Sequence, residues 1–331
     1  MIIDRREFIK FSLLNIFLFF FLKFNLKANT KKNTKVLTNL IFFEHLISSG
    51  HPEKPERIKY ILNYLKKSKN SGLLEVVNTN RDVQKWIREI HFEKHIDSLK
   101  KFQPLAEKVS RYAVKVCLTG VDKIMKKESK NIFCAIRPPG HHALNTGKDE
   151  GFCYYNHIAI TAKYIQKKFK LKKILIVDWD YHHGNSTEYF FYNDPSILFF
   201  STHDQFAYPG TGSPERRGNG KGFGFNINVH LPCKTKDKEI IKVFNEKLVP
   251  NVQKFKPDFI LISAGFDSRI NDTLGCFELS DDCFRKLTRK LVELSKLYCD
   301  NRILSILEGG YNLDGNAKAT LTHIDELNNL N

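Results

Sequence analysis

The segment KILIVDWDYHHGN (173–185) runs a short aliphatic stretch straight into two carboxylates and two imidazoles. ILIV (174–177) is continuous, largely β-branched and short, the pattern of a strand buried on both faces in a parallel sheet. Donor-rich residues then fall at the carboxyl end of that strand, the position where open α/β sheets bind their ligands.

The same pattern recurs outward from this segment. NIFCAI (131–136), SILFF (196–200), FNINV (225–229), FILISA (259–264) and ILSIL (303–307) read as further strands beside KILIV (173–177). Helical patterns lie between them. HIAITAKYIQKKF (157–169) has apolar residues at 3–4 spacing. DKEIIKVFNEKLVPNVQKF (237–255) carries Pro250, which is expected to kink or split it. SDDCFRKLTRKLVELSKLY (280–298) opens on a Ser N-cap and an acidic first turn. Strands alternating with helices imply an α/β fold, with a mostly parallel central sheet and helices on both faces. The 331 residues, 42% hydrophobic, suffice for one large domain, and no linker or solenoid repeat interrupts them.

Five of the strands run into RPPGHHA (137–143), DWDYHHGN (178–185), STHDQ (201–205), GFDSR (265–269) and EGGYN (308–312). Such convergence points to one shared site. No GxGxxG or GxxxxGK[ST] follows any strand, which excludes dinucleotide-binding and P-loop readings.

At strand period, Asp178, Asp180 and His182 share one face. An Asp-x-His pair offers a divalent metal one oxygen and one nitrogen, and Asp267 of GFD supplies a third ligand from a neighbouring strand end. Three protein ligands with an open position describe a catalytic metal. Binuclear ureohydrolases of the arginase type carry additional carboxylates where this chain has Gly184 and Arg269, so a single metal is expected. His141 and His142 follow PPG, and a tandem pair lets one imidazole act as base while the other orients or stays charged; Asp178 and Asn185 are polar partners for them. Tyr311, after Gly309 and Gly310, offers a hydroxyl on a loop with conformational freedom, suited to a developing oxyanion.

The net charge of +17 reads mainly as solvated lysine-rich faces, and no nucleic-acid-binding motif accompanies it. The seven cysteines (117, 134, 153, 233, 276, 283, 299) form no CxxC pair; no disulfide framework is expected, and most should be small buried apolar residues. Residues 1–28 pair a charged start with the apolar stretch FSLLNIFLFFFL (11–22), too short for a membrane span. DRREFIK (4–10) resembles a twin-arginine export motif, with a weak cleavage position after Ala28. The expectation is an export signal over 1–28, a periplasmic destination and a catalytic domain over 29–331. The alternatives are an uncleaved membrane anchor and a cytoplasmic protein.

RPPGHHA, GFCYYN (151–156), DWDYHHGN, YPGTG (208–212), SAGFD (263–267), EGGYN and, near the N-terminus, HPEKPER (51–57) together resemble the histone deacetylase superfamily, in its class II and bacterial acetylpolyamine amidohydrolase and acetoin-utilisation-like branch. The motifs run in the family's order over about residues 40–325. The resemblance implies an arginase–deacetylase fold with an eight-stranded parallel sheet, and Zn²⁺ held by Asp180, His182 and Asp267. It makes His142 the general base and acid, tuned by Asn185, and His141 an electrostatic partner linked to Asp178. Tyr311 would polarise the acyl carbonyl. Gly151, Phe152, Tyr208 and Gly310 would contact substrate, and Arg57 would line an internal channel. A structural K⁺ would sit on main-chain oxygens of Asp178, Asp180 and His182 with Ser201 and Thr202. Two departures are Asn185, where the class I branch has Asp, and Tyr208, where eukaryotic members have Phe. The activity implied is zinc-dependent hydrolysis of an N-acetyl or N-acyl amide, on a lysine side chain or a small amine, by metal-activated water. The competing readings are a non-catalytic acyl-ligand binder on the same fold and, disfavoured by Gly184 and Arg269, a ureohydrolase. Oligomeric state is not legible in the sequence.

Overall fold

A computed structural model describes residues 34–329; the leader-like segment 1–28 and its boundary lie outside the described residues. Eight strands form one sheet: β1 (Thr34–Thr38), β2 (Leu74–Val76), β3 (Asn131–Cys134), β4 (Ile174–Asp178), β5 (Ile197–His203), β6 (Asn226–His230), β7 (Phe259–Ala264) and β8 (Ile303–Leu307). Their order is β2-β1-β3-β8-β7-β4-β5-β6, and every neighbouring pair is parallel. All six anticipated strands are present. β1 and β2 were not anticipated: TKVLT (34–38) is only half apolar, and β2 is a three-residue edge strand.

The strand period sorts the core into two layers. Ile174 and Ile176 of β4 face the same side as Leu261, Leu304 and Ile306, together with helices Pro104–Met125 and His157–Phe169. Leu175 and Val177 face the other side with Ile260, Ile262 and Leu307, under helices Glu56–Lys67, Asp281–Tyr298 and Leu313–Asn329. Both faces are thus covered, which is why the strands read as unbroken apolar runs.

Local chemistry sets the helix limits. Asn156 caps His157–Phe169 by accepting from the Ala159 amide at 2.8 Å, and the Ser280 hydroxyl accepts from Cys283 N at 3.1 Å. The 237–255 stretch divides into a helix (Asp237–Val243), a π-helical turn (Phe244–Leu248) and a second helix (Val249–Phe255). Pro250 has no N–H for the ordinary ladder, and the wider turn accommodates its ring.

Five cysteines are buried thiols as anticipated, whereas Cys233 and Cys276 are joined as a disulfide, with Cα atoms 5.2 Å apart. They are 43 residues apart and meet only because the loops after β6 and β7 converge, so no local spacing marks them. Among the described residues no helix is long and apolar enough to cross a membrane.

Candidate active site

The sheet order makes β3, β8, β7 and β4 contiguous, so the loops after these four strands meet at one end of the sheet. They deliver Asp180 and His182 after β4, and Asp267 after β7. One ligand atom from each of these three residues lies within 4.8 Å of the others. His182 Nδ1 is 3.1 Å from both Asp180 Oδ1 and Asp267 Oδ2. Strand period does not produce this grouping: β4 stops at Asp178, and the chain bends over 180–182. Asp180 instead bends the chain locally, its Oδ1 accepting from the His182 amide at 2.8 Å. Asp178 turns away from the triad toward His141.

Backbone packs hard against the carboxylates. A Cβ at Gly265 would lie 2.0 Å from Asp180 Oδ2, and one at Gly309 2.0 Å from Asp267 Oδ2. Further donors fix the oxygens: Gly309 N to Asp180 Oδ2 at 2.8 Å and Tyr181 N to Asp267 Oδ1 at 2.9 Å. Two buried carboxylates side by side repel one another. Burial and the Asp180 charge push Asp267 up to about 7. Burial opposes protonation of His182, but its hydrogen bonds to Asp180 and Asp267 carry it up to about 10. Such a donor set, oxygen-rich, anionic and backed by backbone, fits a divalent cation.

The tandem imidazoles differ in environment. His141 Nδ1 is 3.0 Å from Asp178 Oδ2; burial would lower its pKa, but Asp180 and Asp178 hold it well above the ordinary histidine value. His142 Nδ1 is 2.7 Å from Asn185 Oδ1, and burial, with His141 and His182 beside it, holds His142 well below that value. The two rings are therefore biased in opposite senses, His141 toward the cation and His142 toward the free base.

Glu308, within EGGYN but given no role by the sequence, lies beneath them. Its Oε2 accepts from Gly140 N at 2.6 Å and His141 N at 3.2 Å, fixing the PPGHH loop. Burial first, against the opposing charge of His141, pushes it up to about 7.

The loop carrying Tyr311 is pinned, contrary to the freedom read from its glycines. Arg57 Nε donates to Gly310 O at 2.7 Å, its guanidinium also bonds Glu308 O, and it stacks 4.8 Å from the Tyr311 ring centroid. Asp272 accepts from the Tyr311 and Asn312 amides. The glycines serve close approach rather than motion. Arg57 is itself fixed by Glu53, whose other oxygen accepts from Arg137 at 2.6 Å, all three fully buried. Burial, with Asp267 and Asp180 nearby, holds the Tyr311 phenol well above its ordinary pKa against Arg57, so it remains a donor.

A cavity of about 480 Å³ opens onto this cluster, lined by His142, His182 and Tyr311 at its floor and by Phe152, Tyr208 and Leu274 toward its mouth. Gly151 and Phe152 form a two-residue turn with both φ values positive (52° and 68°), between mutually hydrogen-bonded Glu150 and Cys153. A Cβ at Gly151 would lie 2.4 Å from His142 Cδ2, so the turn backs directly onto that ring. Tyr208 meets His142 edge-on with centroids 5.0 Å apart. Gly310 and Arg57 lie behind Tyr311 rather than along this lining. Ser201 registers with Asp178 across β5 and β4, and the buried Thr202 hydroxyl has no hydrogen-bond partner.

Neither position that differs from a binuclear site offers a carboxylate to the triad. A Cβ at Gly184 would meet Asp178 Oδ2 at 2.3 Å, and Arg269 is engaged with Asp281 at 2.7 Å.

Comparison with known proteins agrees with this architecture. The family model described as a histone deacetylase domain matches residues 51–327. A probable deacetylase of Archaeoglobus fulgidus is 35% identical over 302 residues, covering 85% of this chain and 83% of that protein. Histone deacetylase 14 of Arabidopsis thaliana, chloroplastic, is 34% identical over 296 residues, covering 80% of this chain and 70% of that one. Histone deacetylase 6 of Caenorhabditis elegans is 33% identical over 301 residues, 81% of this chain but 31% of that longer protein. The crystal structure of the HDA15 HD domain superposes with a TM-score of 0.83 at 30% identity, covering 90% of this chain and 88% of that one. With the eight-stranded parallel sheet, the strand-end site and these matches, the chain belongs to the histone deacetylase family.

Proposed function

We propose that this protein is a zinc-dependent deacetylase, hydrolysing the N-acyl amide of a lysine side chain or a small amine. The observation that carries the reading is the meeting of Asp180, His182 and Asp267, with the His142 ring and the Tyr311 hydroxyl on the same cavity. Asp180, His182 and Asp267 hold the metal, and their two-oxygen, one-nitrogen set suits Zn²⁺. A divalent ion there supplies Lewis acidity toward an acyl carbonyl and toward water.

The chain's own groups handle the protons. With Nδ1–H donated to Asn185, His142 presents Nε2 as the acceptor for a proton from the hydrolytic water. His141, charged against Asp178, keeps its neighbour neutral before that transfer. The Tyr311 hydroxyl donates to the acyl oxygen as charge grows there. His142 then returns its proton to the departing amine nitrogen. Phe152 and Tyr208 flank the alkyl chain that leads to the amide, and Gly151 presses the wall onto His142. K⁺ is proposed on main-chain oxygens of Asp178, Asp180 and His182 with Ser201 and Thr202. The buried, unpartnered Thr202 hydroxyl supports a ligand at that position. Export through residues 1–28 remains a proposal resting on their sequence.

The test is hydrolysis of a fluorogenic acetyl-lysine peptide and a panel of N-acyl amines, with elemental analysis. Activity should disappear with chelator and return with Zn²⁺ at one ion per chain. Asp267→Ala should lose both ion and turnover. A metal-loaded protein that binds these amides and cleaves none would favour the acyl-binding alternative.

A further inference from the structure

The peptide plane that leads into Tyr311 is held from both sides. Gly310 O and Tyr311 N–H belong to the same peptide unit. Arg57 Nε donates to the first at 2.7 Å, and Asp272 Oδ2 accepts from the second at 2.7 Å. A cation on the oxygen and an anion on the N–H resist rotation of the plane about its Cα–Cα axis. Because Asp272 also accepts from the Asn312 amide, the peptides on both sides of the Tyr311 Cα are held, and with them the direction of the Cα–Cβ bond that carries the ring.

Asp272 does more than hold one amide. Its Oδ2 also accepts from Asn312 N at 2.9 Å, while Oδ1 accepts from Leu274 N at 2.9 Å and Gly275 N at 3.3 Å. Four backbone donors from two loops share one carboxylate. One loop carries Tyr311 at the cavity floor and the other carries Leu274 at its rim. The Asn312 side chain adds a strut, donating to Asn271 O at 2.8 Å.

We propose that Asp272 is a positioning residue for the reaction: with Arg57 it fixes the backbone on which Tyr311 stands, and through its second oxygen it ties the Leu274 loop to that backbone. The inference rests on the hydrolytic role assigned to Tyr311. It names a residue that touches neither metal nor substrate and acts through one that does. Misplacing a reacting or stabilising group by about 1 Å can cost about 100-fold in rate.

The experiment is a double-mutant cycle on the zinc-loaded full chain, with kcat, KM and metal content measured for wild type, Asp272→Ala, Tyr311→Phe and the double variant. Asp272→Ala should lower kcat about 10- to 100-fold, on the same positioning argument, with KM and bound zinc little changed. In the Tyr311→Phe background the same substitution should cost almost nothing, because there is no hydroxyl left to aim. Asp272→Asn keeps one acceptor oxygen and should fall between wild type and alanine; it replaces alanine in the cycle should that variant not fold. Equal losses of kcat in both backgrounds would overturn the positioning role and leave Tyr311 in place. Near wild-type turnover by Tyr311→Phe alone would instead overturn the Tyr311 assignment, and this inference with it.

Discussion

At the scale of single residues, the proton chemistry turns on the acceptor given to His142. Asn185 is a neutral partner 2.7 Å from Nδ1, and burial beside His141 and His182 holds the ring well below the ordinary histidine pKa. In the mechanism proposed above the working form is the neutral base, so activity should persist on the acid side of the ordinary value. Asn185→Asp places an anion at Nδ1 and raises the His142 pKa. The acid limb of kcat/KM should therefore move to higher pH, read directly from a pH–rate profile; an unmoved limb would show that this ring is not the base. Tyr311→Phe should cost about 100- to 1,000-fold in kcat, the usual effect of removing one oxyanion donor, while zinc stays bound. The triad, both imidazoles and Tyr311 were legible because they stand in dense polar clusters at strand ends. Glu308 and Asp272 were not. Glu308 is one acid in a glycine-rich turn, and its partner Gly140 lies 168 residues away. Asp272 looks like any loop aspartate until four amides gather on it.

Among the elements, legibility followed burial. Strands covered on both faces announced themselves as apolar runs, whereas β1 begins and ends on threonine and β2 is three residues at the margin. Helix ends written in local chemistry were also readable. Ser280 both accepts from Cys283 N and donates to Asp237 Oδ2 at 2.5 Å, so it caps its own helix and anchors the start of another. Ser280→Ala should destabilise the fold by about 1 kcal/mol, measured by denaturant titration, with catalytic constants unchanged because the cap is remote from the cavity lining. The disulfide and the Glu53–Arg57–Arg137 cluster were invisible at this scale for a shared reason. Cys233 meets Cys276 across 43 residues and Glu53 meets Arg137 across 84, and nothing local requires either pair to form.

For the molecule as a whole, charge is distributed against its average. The chain carries 53 Lys and Arg against 36 Asp and Glu. Yet among the described residues no Lys or Arg lines the catalytic cavity, and Asp149 does. Asp149 is held by Gln103 Nε2 at 2.7 Å and makes no ion pair among the described residues. Asp149→Asn should lower kcat/KM for an N-acetylated diamine about fivefold relative to a neutral N-acyl analogue, the scale of one exposed charge pair, and added salt should shrink that difference. Equal effects on both substrates would show that this carboxylate takes no part in selection. The strand order has a further consequence for biogenesis. β7 and β8 are made last but occupy the middle of the sheet, between β3 and β4. Until they emerge, β3 and β4 lack the two strands that separate and join them in the finished sheet. The ligand set is incomplete until Asp267 has emerged and been inserted. Metal loading must wait for a nearly finished polypeptide, and any route that carries this protein loaded across a membrane has to accept it already folded.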